Sequence, residues 1–218
     1  MSGNKVKEMP KILQPRLSWL NLSQNSIASF ADFNGHSELC TLLISENKLI
    51  NCAGIGTMPK LLELNLNGNQ LTSLTDLKDM DCLKKLEVGK NKLETLANFP
   101  CLPALEHFDA SENLIEKDGE KELDNLKYCK NLKTLLMAGN PWVDEKGDDF
   151  KKEVLIALDK LSIKQVNDAE EVTQEDRDEA KAEKEAREVA RKEAEEEAKR
   201  AAEEAAEAAK NGEGEPAE

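Results

Sequence analysis

No stretch of this chain approaches the roughly 18 consecutive apolar residues that a membrane span requires, and MSGNKVKEMPK lacks the apolar middle of a secretory signal. The expectation is a soluble, unexported protein. Cysteines are few, odd in number and scattered: Cys40, Cys52, Cys82, Cys101 and Cys129, with no CxxC pair. That usage suits reduced thiols in an intracellular compartment. A basic footprint for a phosphate backbone is also missing. Against 30 Lys and Arg stand 44 Asp and Glu, a net charge of -14 over 218 residues, which argues against direct nucleic-acid binding. Most of the excess sits at one end, because residues 168–218 hold 20 acidic and 9 basic side chains while the rest holds 24 and 21.

Catalytic and metal-binding constellations are absent too. The only histidines are His36 and His107. HSELC, from His36 to Cys40, has a ligand-like spacing but no second pair, so no metal is expected. The glycines of GIG (54–56) lack a following phosphate-binding helix, and GKNK (89–92) falls on a turn of the repeat described below. Asp109 lies two residues from His107, yet no serine or cysteine is placed to complete a nucleophilic arrangement. The expectation is a protein that is not an enzyme, with no cofactor, no small-molecule substrate and no membrane partner.

What the chain has is a period. LSWLNLSQNSI (17–27), LCTLLISENKL (39–49), LLELNLNGNQL (61–71), LKKLEVGKNKL (83–93), LEHFDASENLI (105–115) and LKTLLMAGNPW (132–142) align on LxxLxLxxNxL, 22 residues apart until a last step of 27. Six in-phase copies are the leucine-rich repeat pattern. It predicts an α/β solenoid with a curved parallel sheet, in which alternate leucines of each short strand point inward and stacked neighbours cover them. Asn25, Asn47, Asn69, Asn91, Asn113 and Asn140 fall where the chain leaves the strand, so they are assigned a structural ladder that satisfies backbone groups inside the coil. A second apolar set, including Phe30, Phe33, Met58, Leu77 and Leu102, fills the convex side. The insertion EKDGEKEL (116–123) is expected to lengthen the fifth convex turn into a helix.

Boundaries follow from these patterns. Residues 1–16 form a short N-terminal cap to which Met9, Ile12 and Leu13 offer thin cover. Residues 17–142 are six repeats, and 143–167 a C-terminal cap with a helix from about Asp148 to Lys160. Residues 168–210 are a charged Ala/Glu/Lys helix, for which Thr173 is a fair N-cap and Asn211-Gly212 a fair stop, and 211–218 a disordered end. From Thr173 on, large apolar residues are limited to Val189, which predicts a solvated helix or, alternatively, a rod lying between partners.

Side chains alternate along a strand, so the third and fifth repeat positions point outward on the concave side. They give Trp19, Thr41, Glu63, Lys85, His107 and Thr134, and Asn21, Leu43, Asn65, Glu87, Asp109 and Leu136. Trp19, Leu43 and Leu136 are apolar around a polar, charged centre, as in protein-binding surfaces. The competing expectation is that the first 16 residues fold over Trp19.

The 22-residue spacing, the second apolar set and the helical end cap resemble the SDS22-like class of intracellular leucine-rich repeat proteins. The stretch KELDNLKYCKNLKTLLMAGNPWVDEKGDDFKKEVLIALDKL (121–161) looks like the leucine-rich repeat proteins of ciliary radial spokes. That resemblance implies a structural scaffold of the motile cilium axoneme, in the cytoplasm and cytoskeleton, with protein partners in a large assembly. Other members of the class imply a regulatory subunit of a phosphatase or other enzyme, or a nuclear ribonucleoprotein or acidic histone-binding protein.

Overall fold

The computed structural model describes residues 2–30, 33–55, 58–77, 80–116, 119–167 and 171–211. Seven parallel strands run in chain order: β1 (Trp19–Asn21), β2 (Thr41–Leu43), β3 (Glu63–Asn65), β4 (Lys85–Glu87), β5 (His107–Asp109), β6 (Thr134–Leu136) and β7 (Gln165–Val166). The register places Leu42, Leu64, Leu86, Phe108, Leu135 and Val166 side by side on the inner face, all buried. One apolar core runs the length of the array and includes the convex residues Phe30, Met58, Leu77 and Leu102. A coil only three strand residues wide cannot enclose its own leucines, so burial is supplied by the coils on either side.

The asparagines close the polar side of that bargain. Each of Asn47, Asn69, Asn91, Asn113 and Asn140 is buried. Their Oδ1 atoms accept the N–H of Ile27, Leu49, Leu71, Leu93 and Ile115 of the preceding coil at 3.0 to 3.2 Å. Their Nδ2 atoms donate to a carbonyl of their own coil and to one of the coil before, as Asn69 does to Leu66 at 2.9 Å and to Ile44 at 3.1 Å. The residue before each asparagine takes a left-handed backbone: Gln24, Glu46, Gly68, Lys90, Glu112 and Gly139, with φ between 52° and 72°. Four of the six are not glycine, and the amide ladder on either side holds them there at a cost of about 1 kcal/mol each.

The N-terminal cover is more substantial than Met9, Ile12 and Leu13 alone suggest. Val6 donates to Asn25 Oδ1 at 3.1 Å, Ser26 donates to the Val6 carbonyl at 2.8 Å, and Gly3 donates to the Ser23 carbonyl at 3.0 Å. These bonds recur between the later coils, except that Pro141 has no N–H to give to Ile115 and Trp142 donates there instead. Residues 3–9 therefore reproduce the second half of a repeat, with Gly3 in the left-handed position (φ 70°) and Met9 buried beneath Phe30's place in the next coil. Leu13 does not take part: it is 83% exposed. The signal was present in the sequence as SGNKV against SQNSI, 21 residues apart rather than 22.

At the other end the cap comprises two helices rather than one. Helix α1 (Gly119–Asp124) lies in the fifth convex turn; Lys117 and Asp118 of the insertion fall outside the described residues. Helix α2 (Pro141–Lys146) starts with proline at its first turn, where the missing N–H costs nothing, and ends at Gly147, whose φ of 53° admits no continuation. Helix α3 (Asp149–Ala157) follows, shorter than the expected span to Lys160, and stacks Phe150 edge-on against Trp142 at 5.3 Å between centroids.

Helix α4 (Gln174–Asn211) begins in a capping box, with Thr173 Oγ1 accepting the Asp176 N–H at 3.2 Å and Asp176 Oδ2 accepting the Thr173 N–H at 2.7 Å. Residues 168–170, placed in this helix from the sequence, and the end beyond Asn211 lie outside the described residues. The helix is not simply solvated. Its first four turns pack on α3: Ala180 is buried, Lys151 meets Asp176 at 2.6 Å, Lys184 meets Asp159 at 2.8 Å, and Arg187 grips Glu153 with two bonds of 2.9 Å. Arg177 also donates to the Ile163 carbonyl. Residues 188–203 are exposed.

Two outcomes follow. Asn69→Ala orphans the buried Leu49 N–H, while the Ile44 and Leu66 carbonyls keep the amides of Asn47 and Asn91, so urea unfolding should show a loss of about 1 to 3 kcal/mol. The docking of α4 should weaken in acid. Lys151 and then the Thr173 N–H hold the Asp176 carboxyl at about 2, and Arg187 and Lys184 hold Glu153 and Asp159 below the usual carboxylate range. A carboxyl depressed in the folded state stabilises fully above its unfolded pKa, near 4, and loses that contribution as pH falls through the folded value. Amide exchange over residues 177–187, corrected for intrinsic rate, should accelerate between pH 4 and pH 2 and stay flat from pH 5 to 7.

Candidate functional site

The strand register decides what the concave wall displays. Along one row run Trp19, Thr41, Glu63, Lys85, His107 and Thr134; along the next, Asn21, Leu43, Asn65, Glu87, Asp109 and Leu136. All twelve share the face opposite the buried leucines. Trp19 is 54% exposed, and the other eleven are half-buried. The N-terminal segment runs along the edge of the first coil and leaves Trp19 open. Two rows extend beyond the residues expected from the repeat. Gln165 of β7 continues the first. Ser23, Ser45, Asn67, Gly89, Ser111 and Ala138 form a third at the strand ends, where Asn67 Oδ1 accepts the Gly89 N–H at 2.6 Å and a Cβ on Gly89 would come within 3.3 Å of that same oxygen. The seventh repeat position is small or amide in every copy, which is the signal by which this row was legible.

The middle of the wall is a charge network. Lys85 Nζ lies 3.1 Å from Glu87 and 3.4 Å from Glu63, and Asn65 Nδ2 donates to Glu87 at 2.7 Å. Burial pulls the Lys85 ammonium down, but Glu87 and Glu63 outweigh it and its pKa rises. His107 moves the other way: burial first, then the Lys85 charge, lowers its pKa and keeps the ring neutral at pH 7. Asn21, Asn65 and Asp109 each spend one side-chain oxygen on the backbone N–H two residues on, at 2.9 to 3.0 Å. These three finish the strand as well as face outward, and among the described residues Trp19, Thr41, Leu43, His107, Thr134 and Leu136 carry no side-chain hydrogen bond or ion pair.

The arrangement offers a surface for docking. Among the described residues no hydrogen bond joins His107 to Asp109, and no group of three or more His, Cys, Asp or Glu could hold a metal. The ring of His36 is occupied in the fold: Nδ1 accepts the Glu38 N–H at 3.2 Å, which makes Nε2 the donor to the Gln14 carbonyl at 2.9 Å. Of the GIG glycines, Gly56 lies outside the described residues, and Lys90 of GKNK is a left-handed turn residue. All five cysteines are free, and burial pushes the Cys52 thiol up to about 12 and that of Cys129 to about 11. No described helix is long and apolar enough to cross a membrane.

Among solved structures, a leucine-rich repeat protein of Leptospira interrogans is similar at 25% identity and a TM-score of 0.54, covering 76% of this chain and 41% of its own length. The fold is that of the leucine-rich repeat proteins. An internalin of Listeria monocytogenes is similar at 21% identity and a TM-score of 0.49, over 71% of this chain and 48% of that one. The chain thus spans less than half the length of either. No family model matches it, and no curated protein is similar to it at a significant level. Within the leucine-rich repeat wall, Lys85→Ala should raise the His107 pKa, because it removes a cation that opposes protonation and frees Glu87 to favour it. Imidazole resonances followed by NMR from pH 5 to 8 measure the shift.

Proposed function

We propose that this protein is a non-catalytic interaction scaffold that grips a protein partner with its concave wall and reaches a second with the outer part of α4. The observation that carries this reading is the exposed Trp19 on one wall with Leu43 and Leu136, around the Glu63–Lys85–Glu87 centre. An aromatic anchor with aliphatic neighbours supplies binding energy, and the charges set register and choice of partner. The setting we propose is the motile cilium axoneme, in a radial spoke or a neighbouring complex. It rests on the resemblance of residues 121–161, and a long charged helix beyond the repeats suits a part that ties large neighbours together.

Purification of the tagged protein from motile-cell extracts, prepared with and without cilia, tests that setting. Spoke or dynein components should co-purify only when cilia are present; their absence from both preparations, or capture of a phosphatase in both, contradicts it. Trp19→Glu with Leu43→Glu should abolish capture of the concave partner while the Tm stays within about 2 °C, since both side chains lie at the surface. Leu64→Ala supplies the contrasting case, a core cavity that costs about 2 to 5 kcal/mol.

A further inference from the structure

On the outer wall, far in the coil from the concave rows, the loop after α1, the C-terminal end of α3 and the docked stretch of α4 enclose a cleft of about 690 Å³. Its apolar part is Ile156 and Ala157, both half-buried, and the buried Leu158 and Leu161, with Tyr128 beside them, 70% exposed. Six cations line the cleft against three carboxylates. Each of those carboxylates is already engaged: Asp124 by Lys127 at 2.7 Å, Asp159 by Lys184 at 2.8 Å, and Glu153 by Arg187 at 2.9 Å. Lys130 and Lys160 are exposed and form no ion pair among the described residues. A local excess of positive charge over an apolar floor is unexpected in a chain of net charge -14.

We infer that this cleft is a second docking site, for an acidic segment of a partner protein that carries an aliphatic or aromatic side chain between its carboxylates. The carboxylates answer Lys130 and Lys160, and the apolar side chain covers Ile156, Ala157 and the Tyr128 ring. A nucleic acid is disfavoured, because its backbone offers no aliphatic side chain to cover Ile156 and Ala157, whereas a partner segment with a greasy centre uses both halves of the surface. The site is composite: Lys184 and Arg187 form one wall only because the first turns of α4 lie on α3. Attachment of the tail and exposure of the cleft's full charge are therefore one event.

The test is fluorescence anisotropy of a fluorescein-labelled twelve-residue peptide, glutamates and aspartates around a central Leu-Phe pair, titrated with the full chain at low ionic strength. Saturable binding is expected, weakening with salt. K130E with K160E should weaken it by about tenfold or more, and Tyr128→Ser by about threefold, as charge and contact are lost. K48E with K92E, an equal charge change at exposed lysines on the repeat turns, should leave it within about twofold, since screened distant charges contribute little. Absence of saturable binding, equal loss in the two double variants, equal binding of an all-glutamate peptide, or tighter binding of a single-stranded RNA overturns the assignment. None of these variants touches Trp19 or Leu43, so this outcome and that of the concave-wall test are independent.

Discussion

Everything in this molecule depends on a buried amide joining each coil to the next. A leucine-lined coil brings backbone groups inside with it, and those groups have no strand partner once the chain turns away from the sheet. An asparagine side chain is short enough to reach them and carries both donor and acceptor, so it serves its own coil and the one before at once. Leucine burial drives the stacking but is tolerant of direction; the amide is not. It fixes the rotation and rise between coils, and so it fixes which side chains line up along the concave wall.

That dependence explains how much was legible in the sequence. Period, inward leucines and asparagines are all local patterns, and the six repeat strands lie where the pattern puts them, with Trp19, Asn65 and Asp109 on one wall. What was not legible comes from contacts between parts that are distant in the chain. Residues 3–9 complete the first coil by borrowing Asn25 and Ser26 as partners, and a 21-residue offset over only half a repeat falls below the notice of a pattern search. Pro141 and Gly147 split the end cap into α2 and α3. Asn21, Asn65 and Asp109 looked like free concave side chains, yet their oxygens finish the strands, a duty invisible until the turn geometry is known.

The tail shows the same limit most clearly. Its composition, alanine with paired charges, describes a helix that could stand in water, and from residue 188 to 203 it does. Its first turns do not, because Lys151 and Glu153 on α3 and Asp159 just beyond it present the opposite charges at matching heights, and Ala180 is small enough to let the helices close. Exposed ion pairs contribute little one at a time. Here the pairing is bidentate at Glu153, which is buried, and the neighbouring pairs share the ordering cost of one helix. The result is a helix docked on the end of the solenoid, which closes an outer cleft with spare lysines apart from the concave wall.

Native-state hydrogen exchange at the Ile27, Leu49, Leu71, Leu93 and Ile115 amides tests the stacking most directly, since each donates to the asparagine of the next coil. If the amide ladder holds the array together, these five exchange only through a shared opening, with similar protection close to that of global unfolding. Rapid exchange at these positions, while the strand amides stay protected, would contradict it.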